Sequence, residues 1–115
     1  AEKFVKLAKL LTDNGVNVVF SVVGLMNKPR NWNKKNIKKY VEIYIKSDVR
    51  KIISFKRKKN KNKNRKNVVG TSIKPQFPKK PHIIINNTFD KNIKTLENEL
   101  RQEIKILLKQ KKYKN

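Results

Sequence analysis

The alternation of apolar and polar positions predicts helices and strands in turn along the first half of the chain. Residues 3–13 place apolar side chains at helical spacing, and Asn14-Gly15 supplies the left-handed residue that commonly ends a helix. Residues 16–23 (VNVVFSVV) form a nearly continuous β-branched run, which is typical of a strand buried on both faces of a parallel sheet. A short helix within residues 31–39, carrying Trp32 as a core or interface anchor, precedes a second strand at residues 40–45 (YVEIYI).

The second half of the chain continues the same alternation. Ser47-Asp48 is a good N-cap for a helix over residues 49–56, and residues 83–85 form a short buried strand. Residues 86–90 cap a long last helix before a tail, residues 109–115, that is expected to fray. The apolar stripe of that helix is Ile93, Leu96, Leu100, Ile104, Leu107 and Leu108. Three strands alternating with helices predict an α/β fold, a three-layer parallel sheet with flanking helices.

Two segments between these elements lack an apolar face. Residues 56–67 (KRKKNKNKNRKN) are low in complexity and are expected to form a mobile basic loop. Residues 75–81 (PQFPKKP) are expected to be extended, because each proline disfavours helix at the residue before it.

The net charge of +23 permits two interpretations. Polyanion binding is the usual one for so basic a chain. However, 26 of the 31 basic residues are Lys and Asn occurs 15 times, a composition expected of an A/T-rich coding sequence whose solvated surface has drifted. A reader of phosphates would be expected to use more Arg. We therefore expect nucleic acid to bind only non-specifically.

Composition also excludes several chemistries. The absence of cysteine excludes disulfide frameworks and thiol nucleophiles, and His82 as the single histidine argues against a metal site or a catalytic triad. The eight acidic residues are scattered, so no catalytic residue is assigned. No apolar run approaches the length of a membrane span, so the sequence predicts a cytoplasmic protein that does not interact with a membrane.

An ordered set of segments resembles one enzyme family. The stretches AKLLTDNGVNVVFSVV, WNKKNIKKYVEIYIKSDV, NVVG and HIIINN, with P-x-x-P before the last, resemble adenylylsulfate kinase from about residue 3 to residue 108. The resemblance implies a P-loop kinase that uses ATP and Mg²⁺ to phosphorylate the 3'-hydroxyl of adenosine 5'-phosphosulfate, or of a related nucleotide, in sulfate assimilation. It also implies that the three predicted strands are the third to fifth of a sheet with the order 2-3-1-4-5.

The phosphate-binding loop of such kinases is missing from the sequence. No G-x-x-x-x-G-K-[ST] pattern occurs, and Gly15, Gly24 and Gly70 lie too far apart to form one. We therefore expect residues 1–115 to be a single partial domain, a C-terminal fragment that is inactive and binds no cofactor without an upstream P-loop segment. The predicted strands at residues 16–23 and 40–45 would flank an empty position. The chain would then be marginally stable, or would pair those strands directly.

The resemblance implies a substrate-binding set in three places. Val23 and Gly24 align with the loop after the third strand, where the backbone approaches the substrate. Lys58 aligns with the substrate-binding lysine of the lid, which corresponds to residues 56–67. Asn67 and Val68 align with K-N-F-T-G, whose aromatic residue stacks on the substrate adenine.

A nucleotide-binding set is implied as well. Arg57 takes the position of the lid arginine if the alignment slides by two residues, and Thr88 and Phe89 align with the loop that flanks the ATP adenine. Helix capping is the alternative role for Thr88 or Asp90, and a solvated loop is the alternative for the lid.

Two functions of other classes remain open at this point. One is a basic nucleic-acid-binding module that uses residues 56–67, and the other is a non-catalytic, degenerate relative of the kinases. A homodimer is possible, because members of the resembled family are often dimers.

Overall fold

The computed structural model describes residues 2–24, 26–59 and 74–110. Within these ranges the chain forms four helices and two strands. In chain order they are α1 (Glu2–Asp13), α2 (Asn27–Asn36), β1 (Ile43–Lys46), α3 (Val49–Lys59), β2 (Ile83–Asn86) and α4 (Ile93–Gln110). The order confirms an α/β chain.

The two strands pair in parallel, with Ile43 opposite Ile83 and Lys46 opposite Asn86. These are the strands expected to be the fourth and fifth, which neighbour each other in the order implied by the resemblance. Because the strands are parallel, their carboxyl ends meet at one edge of the sheet. That edge is where open α/β sheets bind ligands.

The core is small and lies between β2 and α4. Ile83, Ile85 and Leu107 are buried, with at most 6% of each exposed, and four partly buried residues pack against them. Those four are Val41, Leu96, Leu100 and Ile104. The register places Ile43 and Ile45 of β1 on the same face as Ile83 and Ile85, yet they remain 37% and 59% exposed. Half of this sheet face therefore lacks a cover among the described residues.

The strand predicted at residues 16–23 is wrong. The structure has no strand in these residues, and Val19 and Val23 are 98% and 75% exposed. β-branched side chains favour a strand only where a neighbouring strand satisfies its backbone hydrogen bonds. The sheet described here has the order β1-β2, so the prediction of three strands is wrong for the described residues, as is direct pairing of residues 16–23 with β1.

The basic loop begins later than predicted. Helix α3 continues to Lys59, so the residues predicted as loop from Lys56 to Lys59 are helical. Lys and Arg are good helix formers, so the helix extends beyond its last apolar residue. Residues 60–67, the remainder of the predicted loop, lie outside the described residues. Similarly, α4 reaches Gln110, so the tail predicted to fray from residue 109 is helical for two residues, and residues 111–115 lie outside the described residues.

The caps of the last two helices differ in how well they were predicted. Asp48 caps α3 as expected, because its Oδ1 accepts the N–H of Arg50 at 2.8 Å. In contrast, α4 is capped by Asn92 rather than by residues 86–90, since Asn92 Oδ1 accepts the N–H of Thr95 at 2.8 Å. Ile93, the first residue predicted on the buried stripe of that helix, is 85% exposed because it precedes the first turn that contacts the sheet.

The remaining boundaries shift by a few residues. Helix α2 covers residues 27–36 rather than 31–39, and Lys39 has a left-handed φ of 54°. The strand predicted at residues 40–45 is β1, residues 43–46. Helix α1 ends as predicted: Gly15 has a φ of 79°, and Val16 N–H donates to Leu11 O at 3.0 Å, the hydrogen bond of a Schellman motif.

Candidate functional site

Hydrogen bonds join the two strand ends at the carboxyl edge of the sheet. The N–H of Asn87 donates to the carbonyl of Lys46 at 2.8 Å, and the hydroxyl of Ser47 donates to the carbonyl of Asn87 at 2.7 Å. The loop after β1 and the loop after β2 are thereby fixed to each other. Helix α3 starts two residues beyond Ser47, and Phe55 in its second turn contacts Phe89 of the loop after β2.

An open cleft of about 360 Å³ lies between α3 and this loop. Its lining residues are Arg50, Lys51, Ser54, Phe55, Lys58 and Phe89. All but Phe89 come from α3, where positions three and four apart share a face of the helix. The cleft thus combines three cationic side chains and a hydroxyl with two aromatic rings.

The two rings of the cleft stack on each other. The centroids of Phe55 and Phe89 are 4.9 Å apart and the ring planes are inclined by 21°. Phe89 has a left-handed φ of 65°, which is uncommon for a bulky residue. Its N–H donates to Asn87 Oδ1 at 3.2 Å, a local bond that helps hold this conformation. Phe55 and Phe89 are 48% and 37% exposed, so the stacked pair is open to solvent.

The loop after β2 also carries one acidic group. The hydroxyl of Thr88 donates a hydrogen bond to the Asp90 carboxylate. This bond is the main cause that holds the pKa of Asp90 below its ordinary value, and a hydrogen bond from the backbone N–H of Asp90 is the second. Lys51 and Lys91 lower the pKa of Asp90 in the same direction by charge attraction. Lys51 of the cleft therefore attracts Asp90, which adds an electrostatic link between α3 and the loop.

Two of the predicted site residues meet in this cleft. Lys58, predicted to bind substrate, and Phe89, predicted to bind the nucleotide, both line it. Thr88 is adjacent but its hydroxyl is engaged with Asp90. Arg57 is exposed on α3 and is not among the lining residues.

The other predicted residues are elsewhere. Val23 and Gly24 do not line the cleft, and the carbonyl of Gly24 accepts a hydrogen bond from the guanidinium of Arg30 on α2. Asn67 and Val68 lie outside the described residues.

Sequence reasoning missed Phe55, Arg50, Lys51 and Ser54 as site residues. The signal was present, because Arg50, Ser54 and Lys58 recur at every fourth position of a helix whose N-cap was recognised. Phe55 carries no such positional signal in the sequence. Only the position of the loop after β2, which follows from the fold, reveals that its ring has a partner.

A second polar cluster lies at the opposite edge of the sheet, around the buried Glu42. Lys34 Nζ is 3.1 Å from Glu42 Oε1 and Arg30 Nε is 3.9 Å from Glu42 Oε2, so two of the four cationic residues of α2 pair with this carboxylate. The hydroxyl of Tyr40 donates to Glu42 Oε2 at 3.3 Å. Burial, and secondly the charge of Glu42, raise the pKa of Tyr40 to about 12. This cluster attaches α2 to the start of β1 and faces away from the cleft.

The residue set of the cleft suits the base and phosphates of a nucleotide better than a metal ion. Exposed aromatic rings stack on bases, and Arg and Lys side chains bind phosphate oxygens. Within residues 2–24, 26–59 and 74–110, no group of three or more His, Cys, Asp or Glu side chains could hold a metal ion. The described residues thus have side chains suited to contacting ATP, and they contain no cluster of three or more metal-ligating side chains.

No helix in the described part of the chain is both long and apolar enough to cross a membrane. No protein-family model and no solved structure matches the sequence. Over 113 residues, 95% of its length, the chain is 32% identical to the cytidine diphosphoramidate kinase of Campylobacter jejuni. The chain spans 62% of the length of that enzyme. This similarity supports a kinase-like relationship for the chain, and it does not single out adenylylsulfate kinase.

Proposed function

We propose that the chain is part of a nucleotide phosphotransferase and contributes the side of the site that contacts the base and the outer phosphates. The observation that carries this proposal is the meeting of Lys58 and Phe89 in one cleft at the carboxyl edge of the sheet. The extended similarity to a kinase supports the same conclusion.

The chemistry of phosphoryl transfer suits these residues. The reaction depends on positioning and on neutralising charge, because the transition state spreads negative charge over the phosphoryl oxygens. Arg50, Lys51 and Lys58 would attract those oxygens, and the ring of Phe89 would position the base. ATP, when bound with Mg²⁺, supplies the phosphoryl group and further neutralisation of its charge.

A phosphate-binding loop is the component that this sequence does not contain. We propose that a segment outside these 115 residues supplies it, adds a strand beside β1 and packs on the sheet face where Ile43 and Ile45 are exposed. On this proposal the chain alone transfers no phosphate, but its cleft binds ATP weakly, unlike the expectation from the sequence that the chain alone binds no cofactor. A homodimer remains a separate prediction.

The acceptor has two candidates. The resemblance noted in the sequence favours the 3'-hydroxyl of adenosine 5'-phosphosulfate, in sulfate assimilation. The identity of 32% to an enzyme named for cytidine diphosphoramidate favours a cytosine nucleotide as a second candidate. The cleft does not discriminate between them, since stacking on an aromatic ring tolerates any base.

The proposal is tested by phosphoryl transfer from radiolabelled ATP to each acceptor. The chain is assayed alone and together with the part of the Campylobacter kinase that has no counterpart in it. We expect transfer only in the mixture, and at least about a 10-fold loss for Lys58→Ala, because a positioned charge near the phosphoryl group stabilises the transition state. Lys56→Ala is the matched control, an exposed lysine of α3 that does not line the cleft. Transfer by the chain alone would show that it needs no added phosphate-binding loop.

A further inference from the structure

The stacked rings of Phe55 and Phe89 have an unusual setting for an aromatic pair. Both rings are substantially exposed, and the cleft that they line also contains Arg50, Lys51 and Lys58. A solvent-facing aromatic surface beside several cations is complementary to the two parts of a nucleotide. The rings can stack on the flat base, and the cations can bind the anionic phosphates.

The backbone conformation of Phe89 fixes the position of its ring. Left-handed backbone in a bulky residue is unfavourable and persists where its surroundings impose it. Here the loop is fixed by the bond from Phe89 N–H to Asn87 Oδ1 and by the bond between Thr88 and Asp90. These contacts hold the ring over α3, opposite Phe55.

Resting on the function proposed above, we propose that Phe55 and Phe89 are a clamp for a nucleobase, closed in the structure and opened by the ligand. The base stacks between the two rings in place of their contact with each other, and its phosphates extend toward Arg50, Lys51 and Lys58. Phe55 is thus a second binding residue, which stacks on the face of the base opposite to Phe89.

The distance between the rings shows why the clamp must open. Carbon atoms in van der Waals contact lie about 3.5–4.0 Å apart, so a base between two rings requires roughly 7 Å. The ring centroids are 4.9 Å apart in the structure. The rings therefore separate by about 2 Å when a base enters, as the distance of roughly 7 Å requires.

The clamp is tested by NMR on the 115-residue chain with isotope-labelled phenylalanine. AMP, CMP and inorganic pyrophosphate are titrated separately. We expect the ring signals of Phe55 and Phe89 to shift with a nucleotide, because a stacked base changes the ring current that they experience. Pyrophosphate should shift the amide signals of Arg50 and Lys51 with little effect on the rings. The affinities of AMP and CMP show whether an adenine or a cytosine nucleotide is preferred.

Substitutions distinguish the loss of base stacking from a general loss of folding. Phe55→Ala should weaken nucleotide binding about 5- to 150-fold, the effect typical of removing a stacking ring, and leave pyrophosphate binding unchanged. Phe55→Tyr should retain binding. Phe77→Ala is the matched control, because Phe77 is similarly exposed and contacts Tyr44 rather than the cleft. Equal loss in Phe55→Ala and Phe77→Ala, or ring signals that stay fixed while the amide signals of the cleft shift, would overturn the clamp.

The outcome is distinguishable from that of the proposed function. If the mixture of the phosphotransfer assay is active but Phe55→Ala binds nucleotide normally, the clamp is wrong and the function stands. If nucleotide binding depends on Phe55 but no phosphate is transferred to either acceptor, the clamp stands and the function is wrong.

Discussion

Glu42 and His82 are joined by two reciprocal hydrogen bonds at the start of the sheet. The N–H of Glu42 donates to His82 Nδ1 at 2.9 Å, and the N–H of His82 donates to the carbonyl of Glu42 at 2.9 Å. The pair brings the segments before β1 and β2 together, so that both strands begin in register. It assigns the only histidine of the chain a structural role.

The Glu42 carboxylate should be essential for stability. Glu42→Ala would leave Arg30 and Lys34 without their shared anion, and removing one partner of a buried ion pair costs about 3 kcal/mol or more. Lys34 is partly exposed, so we expect a loss of about 2–3 kcal/mol in the free energy of unfolding, less than a fully buried pair would lose. Urea unfolding measures it. Glu103→Ala, on the exposed side of α4, should change stability by less than about 0.5 kcal/mol. Equal losses of stability in Glu42→Ala and Glu103→Ala would show that the ion pairs of Glu42 do not stabilise the fold.

Tyr40 should make the folded state sensitive to alkaline pH. Its pKa of about 12 in the folded chain exceeds the ordinary value of 10, so the folded state retains the proton that the unfolded state loses. Its contribution is fully present below pH 10 and is lost as the pH rises toward 12. Because the side chain is only about half buried, we expect a loss on the order of 1–2 kcal/mol. Urea unfolding at pH 9 and pH 11.5 should show a smaller decrease for Tyr40→Phe than for the unsubstituted chain. An identical decrease would exclude Tyr40 as the cause.

Two adjacent leucines of α4 should differ sharply when they are truncated. Leu107 is 6% exposed and packs against the sheet, whereas Leu108 is 51% exposed. Leu107→Ala should cost about 2–4 kcal/mol, since it removes buried contacts and leaves a cavity. In so small a core this should abolish a cooperative thermal transition, as followed by circular dichroism. Leu108→Ala should leave the transition nearly unchanged, and similar losses in both variants would contradict the packing described.

The charge of +23 should produce binding to DNA that is sensitive to salt and indifferent to sequence. Each phosphate contact releases counterions, so affinity falls steeply as salt increases. Fluorescence anisotropy with two unrelated duplexes should give equal affinities at low salt and no measurable binding at about 150 mM. Persistent binding at that salt, with a preference for one duplex, would favour the nucleic-acid-binding function over the phosphotransferase.

The helices were predictable because their signals are local. The cap at Asp48, the Schellman glycine at Gly15 and the apolar stripe of α4 depend on residues within a few turns. The strand predicted at residues 16–23 failed because a strand depends on a partner that a local pattern does not reveal.

The candidate site was predicted in part for the same reason. Lys58 and Phe89 were identified through a resemblance, whereas Phe55 depends on a contact between distant parts of the sequence. The buried environment of Glu42 was missed because both of its cationic partners lie on α2, and composition alone places such cations in solvent.

The uncovered β-branched run from Val16 to Val23 has a practical consequence for handling the protein. Val19, Val22 and Val23 are 98%, 63% and 75% exposed, so concentrated samples are expected to associate through this apolar run. In a cell, the lifetime of such a chain would be decided by competition between a binding partner and the proteases that recognise exposed apolar segments.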